Sequence, residues 1–117
     1  SDSGGFLPIG FSSTGTDAQR GKLASWADLL RPYQLWNLQK PGGGADIGPL
    51  RDQGPILIGL LPDSQKYFIY HHTEADVFEV VDQRELELGA AAMAALMASI
   101  FSWYMICDLF RSQSYHF

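Results

Sequence analysis

Cysteine is almost absent: Cys107 stands alone in 117 residues. One thiol cannot close an intramolecular disulfide or build a cysteine-based zinc site. Such usage fits a reducing compartment, and the expected location is cytoplasmic. Basic residues are scarce too, eight Lys and Arg against thirteen Asp and Glu, and they never cluster. A surface that tracks phosphates needs a basic stripe, so nucleic acid is not an expected partner. The acidic balance suits a basic protein partner instead. No charged region followed by a short apolar run opens the chain, so no signal peptide is expected.

What is present is apolar and aromatic. Hydrophobic residues make up 46% of the chain, which excludes a disordered tail. At this length the expectation is one domain over residues 1–117. Its centre is the stretch Gly54 to Asp82, where three β-rich runs are separated by short turn-like breaks. Ile56 to Leu61 is apolar on both faces, as in a strand covered on two sides. Pro62-Asp63-Ser64-Gln65 supplies turn residues. Lys66 to His72 is aromatic and β-branched, and Asp76 to Asp82 alternates Phe78 and Val80 with Val77, Glu79 and Val81. Short connections make neighbouring strands antiparallel, so the expected fold is α+β, an antiparallel β-meander packed by helices.

The flanks cover that meander. Phe6 to Phe11 is a short extended piece, with Pro8 favouring an edge position, and Ser12 to Gly21 is a polar loop. Ser25 and Asp28 are spaced like a capping box, which starts a helix from about Trp26 to Arg31. Pro32 removes a backbone donor and forces a kink or a second turn over Pro32 to Gln39. Residues 41–54, with five glycines and two prolines, form a mobile loop. Its Gly-Gly-Gly does not open a helix with Lys-Ser/Thr, so it is no phosphate cradle.

From Gly89 to Phe110 the periodicity turns helical. Leu96, Ile100, Trp103, Cys107 and Phe110 make a bulky stripe, while Ala91, Ala95, Ser99 and Ser102 make a small-residue face. No charge falls between Leu88 and Cys107, enough length to span a bilayer. Many of those positions are Ala, Gly or Ser, and no basic cluster flanks them, so packing against the sheet is expected in place of a membrane span.

No catalytic signature emerges. On a strand, His71 and His72 point to opposite faces and cannot grip one metal together. Cys107 has no basic neighbour to activate it and is expected as a packed thiol. Asp63, Glu74, Asp76, Glu79 and Asp82 read as solvated acids at turns and edges. The site assignment is therefore no catalytic residue, no metal and no cofactor. Aromatic side chains remain as anchors for a protein partner, with Trp36, Tyr67, Tyr70, Trp103 and Tyr104 the candidate contacts. The competing arrangement is a homodimer joined through the small-residue face of the last helix, and an enzyme of unrecognised type stands third.

The order of elements resembles the SUKH superfamily of yeast cell-wall regulators, bacterial immunity proteins and herpesviral proteins. Gly4-Gly5 would precede the first strand, Pro55 to Gly59 would match its Ile-Pro-Ile-Gly-like strand, and Ser99-Ile100-Phe101 through Trp103-Tyr104 its closing helix. The usual N-terminal helix is missing, and Ile100 stands where that family has Phe. The resemblance implies a SUKH-like fold and direct binding without catalysis, as in an immunity protein that neutralises a toxin or an antagonist of a host factor.

Overall fold

The computed structural model describes residues 4–38, 42 and 44–113. Its sheet has two antiparallel strands, β1 (Pro8–Thr14) and β2 (Leu57–Pro62). Thr14 pairs with Leu57 and Phe11 with Leu60, and the register shifts between Pro8 and Gly10. Between the strands come α1 (Asp17–Ala24), α2 (Ala27–Leu30) and two 3₁₀ turns, Arg31–Tyr33 and Gly48–Gln53. After β2 follow a single helical turn, α3 (Tyr67–Tyr70), a 3₁₀ turn at Phe78–Val80 and the long helix α4 (Gln83–Gln113).

The first helix lies where a polar loop was expected. Thr16 and Gln19 form a reciprocal capping box, each side chain satisfying the other's backbone N–H, and this starts α1 at Asp17. Ser25 closes α1, its hydroxyl donating to the Lys22 carbonyl at 2.7 Å, and does not open the next helix. Pro32 then ends α2 in a 3₁₀ turn, which Gln34 terminates at φ 61°.

The expected three-stranded meander is absent among the described residues. Strand-like composition at Lys66 to His72 loses to local hydrogen bonding: Tyr67 N–H donates to Ser64, Ile69 N–H to Lys66 and His71 N–H to Tyr67. Only β1 pairs with β2, and Phe68 and Ile69 lie exposed, so no cross-strand neighbour rewards extension here. Downstream, Val80 N–H donates to Val77 and Val81 N–H to Phe78, closing a 3₁₀ turn where the third strand was expected.

Two glycines hold the middle of the chain together. A Cβ on Gly10 would fall 1.9 Å from the Asn37 carbonyl oxygen, the atom that accepts from Phe11 N–H at 2.8 Å. A Cβ on Gly42 would fall 2.2 Å from the Ser12 backbone. There the Thr14 hydroxyl donates to the Gly42 carbonyl at 2.7 Å and accepts from its N–H at 2.9 Å. The Gly-rich stretch is thus stitched to β1 at residue 42 and coiled as 3₁₀ turn from Gly48. Residues 41 and 43 of the expected loop lie outside the described residues.

The core is small. Phe11, Leu23, Leu30, Leu35, Ala92 and Leu96 are buried together, with Trp26, Ile58, Leu60 and Ile100 packed around them. Helix α4 therefore lies on the sheet through Ala92, Leu96 and Ile100. Cys107, expected inside, is exposed. The segment Gln83–Cys107 is long and apolar enough to cross a membrane by length and composition: an 18-residue window in it has mean hydropathy 1.7 and is 11% buried.

Candidate functional site

Ionisable and aromatic side chains gather on the segment between β2 and α4. The Asp63 carboxylate accepts from Gln65 N–H at 3.0 Å and shapes the turn that leads into α3. Past α3, Thr73 ties the chain back: its hydroxyl donates to the Tyr70 carbonyl at 2.8 Å and accepts from Ala75 N–H at 3.2 Å. Asp82 caps α4, its carboxylate accepting from Glu85 N–H at 2.8 Å.

This folding brings two histidines side by side. Their ring centroids are 3.9 Å apart at 58°. The expectation that they point to opposite faces assumed a strand and fails because the backbone turns between them. His72 has φ 59°, a left-handed conformation that costs a side chain with a Cβ roughly 1 kcal/mol. Tyr67 stacks on His71 at 4.5 Å between centroids, with its hydroxyl 3.3 Å from Nε2. Tyr70 stacks on Phe6 at 6.2 Å.

A shallow cleft of about 180 Å³ opens here, lined by Phe6, Tyr67, Tyr70, His71, Asp76 and Asp82. Asp82 is committed to its cap, whereas Asp76 is exposed five residues after His71. The cleft thus offers imidazole, phenol and carboxylate within one short segment, the groups that move protons in hydrolysis. By side-chain type the two imidazoles also suit a divalent cation. Among the described residues no group of three or more His, Cys, Asp or Glu side chains is placed to hold one, so any complete set needs ligands from elsewhere.

The five aromatic candidates fall in three places. Tyr67 and Tyr70 line this cleft. Trp103 and Tyr104 meet edge to face at 5.1 Å on α4, where they line a separate apolar groove with Trp26, Ile58 and Ile100. Lys22 Nζ sits between the two indoles of that groove, 5.6 Å from Trp26 and 4.7 Å from Trp103. Trp36 is exposed beside the Arg31 guanidinium at 5.8 Å and lines neither cavity. The small face of α4, Ala91, Ala95 and Ser99, lines a third groove opposite Leu29, Leu30 and Leu35.

Sequence reasoning set the histidines aside because a strand would point them to opposite faces. Their signal was the composition of the turn: His-His-Thr-Glu-Ala-Asp combines two imidazoles with a turn-forming Thr and two carboxylates within six residues.

Over 109 residues, 93% of its length, the chain is 34% identical to a protein of Bos taurus named Carboxypeptidase Q. The proteins of that name from Homo sapiens and Mus musculus are 31% and 32% identical over 109 and 108 residues. The chain spans about a fifth of the length of these curated relatives, 22% in each case. No protein-family model matches the chain, and no solved structure matches it.

These relatives overturn the SUKH resemblance, which rested on short apolar motifs. They also overturn the expectation of a non-enzymatic immunity or scaffold domain, because the proteins it resembles over nearly its whole length are named as enzymes.

Proposed function

We propose that this chain is one part of a peptidase of the carboxypeptidase kind, and that the segment Tyr67–Asp76 brings ionisable groups to its hydrolytic site. The observation that carries the reading is the similarity to Carboxypeptidase Q across 93% of the chain. The local geometry supports it. Peptide hydrolysis needs a polarised carbonyl, an activated water and a proton for the leaving amine. An imidazole either shuttles that proton or holds a cation that polarises the carbonyl. His71 and His72 are adjacent and exposed, and His71 lines the cleft. The stacked Tyr67 ring fixes the plane of His71. Polypeptide outside this chain supplies the remaining groups, since the chain spans a fifth of the relatives it matches.

The test is hydrolysis of short peptides by the longest natural polypeptide that contains the chain. A carboxypeptidase releases the last residue from a peptide with a free C-terminal carboxylate and spares the same peptide when that end is amidated. His71→Ala and His72→Ala each lower the rate without unfolding the protein. Dialysis against a chelator separates the two roles of imidazole: activity that survives assigns proton transfer, and activity that is lost and restored by divalent cation assigns ligation. Equal cleavage of both peptides, or none, removes the reading.

A further inference from the structure

Helix α4 carries two apolar faces, and the fold accounts for one. Gly89, Ala92 and Leu96 are buried, with Ile100 and Trp103 partly so, against the sheet and α1. A second line, Leu86, Met93, Met97, Phe101 and Tyr104, recurs at steps of seven, four, four and three, the spacing of one helix face. All five are exposed, Met97 by 50% and Phe101 by 62%. No charge interrupts the helix between Glu87 and Asp108.

The whole chain has too much surface for its mass. Its accessible area is 8630 Å² at 13.0 kDa, whereas a compact monomer of that mass exposes about 6,300 Å². Its radius of gyration is 16.8 Å, against about 13 Å for a compact domain of this length. The excess of roughly 2,300 Å² is nearly three times what one partner contributes to a standard protein–protein interface, about 800 Å².

We infer that the Leu86–Tyr104 face of α4 is an internal interface, covered by the remaining polypeptide of a larger peptidase. This rests on the reading that the chain is part of such an enzyme. Roughly four fifths of the length of the matched relatives lies outside the region this chain matches, enough polypeptide to cover the excess surface. The covering surface must itself be apolar and uncharged, because this face offers no ionic partner over its central five turns. A second copy fits less well. Phe68, Ile69, Val77 and Phe78, none of them on α4, are exposed too, so apolar surface extends beyond the one helix face that a two-fold contact would bury. A bilayer fits poorly as well, since the adjoining face of the same helix, about a quarter turn round, holds Ala92 and Leu96 in the protein core.

The chain carries its own reporters. Its three methionines, Met93, Met97 and Met105, all lie on α4 and are all exposed. Peroxide converts an accessible thioether to the sulfoxide, and mass spectrometry reads each site. The experiment uses the longest natural polypeptide containing the chain, dilute and free of detergent, with the same protein in guanidinium as reference. Met93 and Met97 are expected to oxidise at least about tenfold more slowly than in the reference, at a rate independent of protein concentration. Oxidation at the reference rate overturns the inference. So does protection that grows with protein concentration, which assigns the face to a second copy, or protection that appears only with phosphatidylcholine vesicles, which assigns it to lipid. No substitution is needed, so misfolding of a variant does not enter. Protected methionines in a polypeptide without peptidase activity retain the interface and remove the proposed activity, and the converse result does the reverse.

Discussion

The Tyr67 hydroxyl lies 3.3 Å from Nε2 of His71, and this pairing exists only because the backbone between them is helical. Residues four apart rise about 6 Å along a helix and share a face, while on a strand they stand about 13 Å apart. Tyr67→Phe keeps the ring stacked and removes the hydrogen bond. His71 is exposed and Tyr67 half-buried, and the substitution keeps the ring, so unfolding in urea should shift by no more than about 0.5 kcal/mol. If His71 serves hydrolysis, kcat/KM for a free-carboxylate peptide should fall by up to about tenfold, the effect of one hydrogen bond of about 1 kcal/mol.

His72 sits at φ 59°, where glycine would sit more easily. Replacing it with Gly relieves roughly 1 kcal/mol of backbone strain and adds about as much chain entropy to the unfolded state. The expected change in stability is therefore within about 0.5 kcal/mol. Hydrolysis should nevertheless drop by about 100-fold or more, as when a proton-transferring or ligating imidazole is removed. Gln34 is the control. It has the same left-handed backbone at φ 61°, far from the cleft in sequence, so Gln34→Gly should leave hydrolysis unchanged.

The last helix and the break at Pro32 were legible in the sequence, for a physical reason. The 3.6-residue pattern of α4 is sustained over many turns, and Pro32 marks a break that any helix must respect. Leu57 to Pro62 was legible as a strand through its apolar run. The segment Lys66 to Val81 was not. Its aromatic and β-branched residues favour extension only when a neighbouring strand packs against them, and β2 has β1 alone. That one misreading also hid the cleft, because an extended chain points His71 and His72 to opposite faces and carries Tyr67 about 13 Å from His71. The Thr16–Gln19 capping box was present in the sequence as Thr-x-x-Gln, but no apolar run followed it to draw attention.

Gly10 is a point of contact between backbones. Gly10→Ala would drive a methyl group to 1.9 Å from the Asn37 oxygen, a clash with main chain that no rotamer relieves. The strand must shift and the Phe11–Asn37 hydrogen bond breaks with it, so the expected loss is about 3 kcal/mol or more. Gly21 is the opposite case, inside α1 with nothing within 4 Å of an added Cβ. Gly21→Ala should raise stability by about 0.5–1 kcal/mol. Thermal or urea unfolding of the two variants checks both signs.

Leu96 and Met97 are consecutive on α4 and face opposite fates, one 5% and the other 50% exposed. Leu96 touches the core around Phe11 and Leu23, so Leu96→Ala removes packed methylenes and leaves a cavity, at about 2–5 kcal/mol. The contacts within this chain alone would assign Met97→Ala about 0.5 kcal/mol or less. In the full polypeptide, where the second face of α4 is covered, the thioether is buried as well and the same truncation should cost about 2 kcal/mol or more. Denaturant unfolding of the two variants in that polypeptide measures the difference directly. Comparable losses mean that both sides of the helix are core; a Met97→Ala protein as stable as the parent means that only the Leu96 side is.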